Sequence, residues 1–128
     1  MTLGDKRREF SLHLAQLVAW CSENGYQAMF EEVKRGQAQA DANAASGAGI
    51  ANSLHLLGLA GDLSIFKDGT LLQSVEDYRP IGEQWKSMHP ENAWGGDFTT
   101  RPDADHFSRS HNGVRYCNLK TLAKRLQN

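Results

Sequence analysis

The stretch NSLHLLGLAGDL, residues 52–63, sets His55 and Asp62 in a run of leucine, glycine and alanine. Burying an unpaired carboxylate costs several kcal/mol, so either partners arrive from elsewhere in the chain or a cation sits between the two side chains. A catalytic zinc takes three nitrogen or carboxylate ligands from the protein and keeps one position open. If His55 and Asp62 are two of them, the third comes from a distant segment, and His89, His106, His111 and Cys117 are the candidates. His106 is set apart by PDADHF, where Asp103 precedes it on a proline-led loop and could stand as a base near the metal without ligating it. Taken singly, a histidine in a leucine run and a D-x-x-H spacing are both unspecific.

The elements that must position these groups read as follows. Residues 5–24 have the period of an amphipathic helix, with Phe10, Leu14, Leu17, Val18 and Cys21 on one face and Asn24-Gly25 as its stop. His13 beside that stripe reads as a surface or satisfied structural histidine. YQAMFEEV alternates as a strand with Tyr26, Ala28 and Phe30 on one side, and GQAQADANAASGAGI reads as a short, weakly anchored helix entering a glycine-rich loop. LAGDLSIF is the best strand, and KDG turns it into TLLQ as a hairpin. Gly58 and Gly61 are expected to permit the turn that brings His55 and Asp62 together. VEDYRPIGEQWKSMHP predicts a helix on Tyr78, Ile81, Trp85 and Met88, ended by Pro90. ENAWGGDFTTRPDADHFS is loop-rich and then extended, HFSRSHNGVRYC suggests a hairpin around Asn112-Gly113, and LKTLAKRL a closing helix. Strands and helices without regular alternation favour an α+β fold over a doubly wound sheet.

At 128 residues and 40% hydrophobic, the chain is expected to be one compact domain, 1–128, too short for a catalytic domain plus a second folded module. A net charge of −1 argues against nucleic acid as a partner, and DKRREF and LAKRLQN read as solvated helix faces. Cys21 and Cys117 lie far apart without CxxC spacing, which predicts two free thiols in a reducing compartment. The N-terminus has no apolar signal-like region, and no run approaches the roughly 20 residues that span a bilayer. The expectation is a chain without membrane insertion that stays in the cytoplasm unless another factor releases it.

The order Ser53-x-His55-x-x-Gly58-x-Ala60-x-Asp62, followed by Asp103-x-x-His106-Phe107, resembles the zinc peptidases that cut D-amino-acid-containing peptides of peptidoglycan (peptidase family M fifteen). VKRGQAQADANAASGAGIANSLHLLGLAGDL is similar to that family's Arg-to-Asp block, WGGDF to its tryptophan-glycine segment, and the likeness spans roughly residues 26–108. The resemblance implies a small antiparallel sheet flanked by helices in a single domain, Hedgehog/DD-peptidase-like, with one zinc ion on the sheet. It implies His55, Asp62 and His106 as zinc ligands and Asp103 as general base. It further implies Arg35 as a binder of a substrate carboxylate or carbonyl, and Ser53 as a hydrogen-bonding support of the site.

An aspartate at the base position, where D-Ala-D-Ala carboxypeptidases and dipeptidases usually carry glutamate, resembles the L-alanyl-D-glutamate endopeptidases of phage endolysins. Asp105 stands where those members often have proline, and reads either as a solvated charge or as a competing base, with the spacing favouring Asp103. Trp94 reads as a groove wall or as plain packing, and His89 and His111 as surface residues. The function implied is a monomeric phage or prophage endolysin, held in the cytoplasm until a separate factor permeabilises the membrane, and the expected lack of a separate wall-binding domain suggests peptidoglycan of a thin, Gram-negative-type wall. The alternatives are a D-Ala-D-Ala carboxypeptidase or dipeptidase of the same family, and a non-catalytic zinc-binding domain on that scaffold.

Overall fold

The computed structural model describes residues 1–31, 54–55 and 57–111. Arg35, Ser53 and Cys117 lie outside the described residues, as do the alanine-rich segment, the Asn112-Gly113 turn and the closing helix.

Helix α1 runs Leu3–Glu23 and starts in a capping box that the periodicity does not reveal. The Thr2 hydroxyl accepts from the Asp5 amide at 3.1 Å, and the Asp5 carboxylate accepts from the Thr2 amide at 3.0 Å. It buries Phe10, Leu14, Leu17 and Cys21, while Val18 is only partly covered. Strand β1 (Tyr26–Phe30) pairs antiparallel with β2 (Ala60–Lys67), which turns back into the short β3 (Thr70–Leu71). The turn is made by Asp68 at φ 52° and Gly69 at φ 78°, the doubly left-handed pair that matches the twist of a tight hairpin.

Helix α2 (Val75–Met88) follows, capped by the Ser74 hydroxyl and burying Tyr78, Ile81, Gly82 and Trp85. The last strands are β4 (Asn92–Trp94), too short to stand out in a loop-rich stretch, and β5 (His106–Arg109), with a single 3-10 turn, Gly95–Asp97, after β4. The sheet order is β1-β2-β5-β4, with β3 beside the far half of β2.

The apolar faces of both helices meet Leu63, Ile65 and Phe107 in one core. Alternation along β2 then turns Asp62, Ser64 and Phe66 to the opposite face, where they are only half-buried. Between β5 and β3 the edge of β2 would carry unpaired backbone groups. Tyr78 fills that gap: its hydroxyl accepts from the Ile65 amide at 3.2 Å and donates to the Leu63 carbonyl at 3.3 Å.

Two expectations need correction. Phe30, at the end of an edge strand, is 53% exposed and does not join Tyr26 and Ala28 in cover. Gly61 is not part of the turn after His55; it lies inside β2 opposite Phe107. Gly58 alone takes the left-handed conformation, at φ 70°, and an added Cβ there would also meet the Arg7 guanidinium at 2.7 Å.

Candidate metal centre

His55 is presented by the turn before β2, in which the Leu57 and Leu59 amides donate to the Leu54 carbonyl and the Gly58 amide to the His55 carbonyl. Asp62 and His106 are directly opposite each other on β2 and β5. Ladder bonds fall on the neighbouring pair, Leu63 amide to Asp105 carbonyl, and three pairs away on Arg109 amide to Leu59 carbonyl, both at 2.9 Å. Asp62 and His106 therefore form a non-hydrogen-bonded pair, the kind whose side chains approach most closely.

His55 Nε2 and His106 Nδ1 each lie 3.4 Å from Asp62 Oδ1, and the two imidazole rings are 5.3 Å apart at 70°. The histidines are 3% and 2% exposed, and the Asp62 side chain 22%. Asp62 Oδ1 is buried without a hydrogen bond of good geometry. Burial opposes ionisation of Asp62, yet the His106 and His55 imidazoles together hold its carboxyl below the usual carboxylate range. A buried carboxylate oxygen that converges with two imidazole nitrogens, all within 4.8 Å, fits a divalent cation, and the donor set is one that zinc takes.

The carboxylates of Asp103 and Asp105 open onto the same place, their oxygens and an Asp62 oxygen lying within 4.8 Å of one another. Asp103 is exposed at the mouth and Asp105 is half-buried behind it, so Asp105 is not a solvated surface charge. Burial, then a hydrogen bond with Asp103 and the charges of Asp103 and Asp62, push the Asp105 carboxyl far above its ordinary value.

The loop carrying Asp103 is tied to Gly95, whose carbonyl accepts from the Phe98 amide at 3.1 Å and the Asp103 amide at 2.9 Å. The Asp103 carbonyl in turn accepts from the His106 amide at 3.2 Å. A Cβ on Gly95 would sit 2.0 Å from the Asp103 carbonyl oxygen and 2.8 Å from the His106 Cβ. Phe98, which has no motif to announce it, covers His106 with its ring centroid 5.4 Å away.

Trp94 walls no groove. It is fully buried against Gly82 and Gly96, and its indole donates to the Ala104 carbonyl at 2.7 Å. His89 and His111 are half-buried rather than on the surface, and neither joins a metal-capable group among the described residues. His89 Nδ1 accepts from the Glu91 amide at 3.0 Å, and His111 Nδ1 lies 3.2 Å from Lys6 Nζ. On the other side of Asp62 stands Glu31, a carboxylate not singled out by any motif. Its amide donates to the Asp62 carbonyl at 2.9 Å, and Ser64 Oγ donates to Glu31 Oε1 at 2.7 Å.

Residues 46–109, which include all four of His55, Asp62, Asp103 and His106, match the family described as D-alanyl-D-alanine carboxypeptidase. Among solved structures the chain is similar to the L-Ala D-Glu endopeptidase ChiX of Serratia marcescens, at 18% identity and a TM-score of 0.70, over 85% of this chain and 84% of that one. It is also similar to a mutant of the vancomycin resistance D,D-pentapeptidase VanY from a VanB-type resistance cassette, in complex with Zn(II). There the identity is 20% and the TM-score 0.53, over 94% of this chain and 77% of that one. No curated protein sequence matches the chain at a significant level. At these identities the structural likeness establishes the fold.

Proposed function

This chain belongs to the D-alanyl-D-alanine carboxypeptidase family, zinc peptidases of peptidoglycan stem peptides, and from that premise we propose that it is an endopeptidase for the L-Ala–D-Glu bond. The observation that carries the hydrolytic reading is the orphaned Asp62 Oδ1 between two buried imidazoles. The choice of bond rests on an aspartate, Asp103, at the mouth of that site.

His55 Nε2, Asp62 Oδ1 and His106 Nδ1 would hold the zinc. When bound, zinc supplies Lewis-acid polarisation of the scissile carbonyl and of water. Asp103, exposed at the mouth, takes the proton of the attacking water on a carboxylate oxygen and hands it to the leaving amine. Gly95 keeps Asp103 at its station, and Phe98 shields His106 from solvent. Arg35, outside the described residues, would orient the acidic stem peptide through a charge-assisted contact, and Ser53 would support the site by a hydrogen bond.

The biological role we assign is that of a monomeric phage or prophage endolysin, cytoplasmic until a separate factor permeabilises the membrane. Among the described residues no helix is long and apolar enough to cross a membrane.

The test is lysis of outer-membrane-stripped cells by wild type, Asp103→Asn and chelator-treated protein, with metal content measured in parallel and products analysed on defined muropeptides. Lysis by wild type alone, zinc retained in Asp103→Asn, and release of a peptide with N-terminal D-glutamate are the expected results. Release of terminal D-alanine would instead select the carboxypeptidase reading, which the family description favours. Zinc bound without hydrolysis of any muropeptide would select a non-catalytic zinc-binding domain.

A further inference from the structure

Register places three polar side chains in one row across the outer face of the sheet. Glu31 continues the β1–β2 ladder opposite Asp62, and Asp62 is opposite His106. Ser64, the next outward residue of β2, donates to Glu31 Oε1 at 2.7 Å and so orients that carboxylate on the face that carries Asp62 and His106. Among the described residues no lysine or arginine is ion-paired with Glu31. Glu31 is exposed at that edge of the sheet. In the adjacent row, opposite Ser64, lies Met29, 49% exposed on that same face. An oriented carboxylate next to an uncovered thioether side chain suits a group with an alkyl stem and a cationic end, since such side chains lay their methylenes on apolar surface and keep the charge at a polar partner.

We propose that Glu31, oriented by Ser64 and flanked by Met29, is a specificity-determining residue that takes the side-chain ammonium of a diamino acid in the substrate peptide. The proposal rests on the reading of the chain as a stem-peptide hydrolase, since stem peptides carry a lysine or diaminopimelate near the bonds in question. It assigns the β1 side of the metal row to that residue.

The experiment compares two synthetic stem peptides that differ only in whether the side-chain amine is free or acetylated. Zinc-loaded wild type is expected to favour the free amine by about fivefold, the upper worth of a solvent-exposed ion pair, through KM more than kcat. In Glu31→Gln the ratio between the two peptides falls toward one while zinc content stays at the wild-type level, and in Ser64→Ala it falls part of the way. A ratio left unchanged in Glu31→Gln, or no preference in wild type, overturns the proposal. The same peptides are titrated calorimetrically into the zinc-loaded proteins, so that binding decides the role of Glu31 even if neither peptide is cut. Absence of any cleavage would count against the hydrolytic reading instead.

Discussion

Strand β5 carries two buried polar clusters on opposite faces, and they resolve the same physical problem in different ways. On the helix side, Arg109 is 2% exposed, yet its guanidinium bonds the Glu9 carboxylate of α1 and lies 3.4 Å from Glu91. His89 Nε2 approaches the same Glu9 carboxylate at 3.4 Å. The charge there is answered by the chain itself. On the outer face, His106 and His55 converge on Asp62 but leave its inner oxygen without a hydrogen bond. Buried polar groups are normally paired. A buried guanidinium answered by the chain's own carboxylates is architecture, whereas a buried carboxylate oxygen left open between two imidazoles asks for a cation.

The sharpest way to break that comparison is to remove one member from each side. Asp62→Ala is expected to lose stoichiometric zinc and all detectable muropeptide hydrolysis, read by metal analysis and product assay, while its folding transition without metal shifts little. Arg109→Ala should do the reverse. Breaking a buried pair costs about 3 kcal/mol, visible in urea unfolding, and zinc content of the folded protein should not change. Loss of zinc in both variants would mean that the two clusters are one unit.

Gly95→Ala probes the backbone link between Asp103 and the row of Asp62 and His106. The new Cβ would collide with the Asp103 carbonyl and the His106 Cβ, and misplacement of a catalytic group by an ångström costs on the order of a hundredfold. A fall in kcat/KM of about that size, with zinc retained in Asp103→Asn but weakened in Gly95→Ala, is the expected pattern. Comparable zinc affinity in the two would show that the glycine serves Asp103 alone.

A smaller effect belongs to the closed cluster. The Arg109 hydrogen bond holds the Glu9 carboxyl below its ordinary value of 4.5 against the opposing effect of burial. Its folded-state value being depressed, Glu9 contributes stability that is fully present above pH 4.5 and is lost as pH falls through the folded value. Urea midpoints measured between neutral and acidic pH should therefore decline more steeply in wild type than in Glu9→Gln. Parallel curves would show that Glu9 titrates alike in the folded and unfolded chains.

Smallest of all is the expected response of Cys21, a buried group that needs neither solution. Its thiol is pushed up to about 11 by burial, and it packs as a core residue. In a Cys117→Ser background, native protein should react with a thiol reagent only at the rate of unfolding. Rapid labelling would place Cys21 outside the core.

The repeating elements were legible because their causes are local. Phe10, Leu14, Leu17 and Cys21 recur at the helical period, Asp68-Gly69 can adopt the left-handed turn, and LAGDLSIF alternates along one strand. The three-residue β4 was not legible, since its strand character comes from pairing with β5. Trp94 could be read as a wall or as packing, and the choice depended on Gly82 and Gly96 making room for its ring.

Local sequence was enough for the two helices of the described residues, the main hairpin and the placing of His55 and Asp62 within one short segment, because those depend on neighbours a few residues away. It left four side chains open as the third member until a resemblance singled out His106. Only the tertiary structure decided that His106 faces Asp62 while His89 caps a helix against Glu9 and His111 meets Lys6. It alone set Glu31 beside them. Strand register is a long-range quantity, and a shift of one residue would have turned His106 into the core and Phe107 toward the metal.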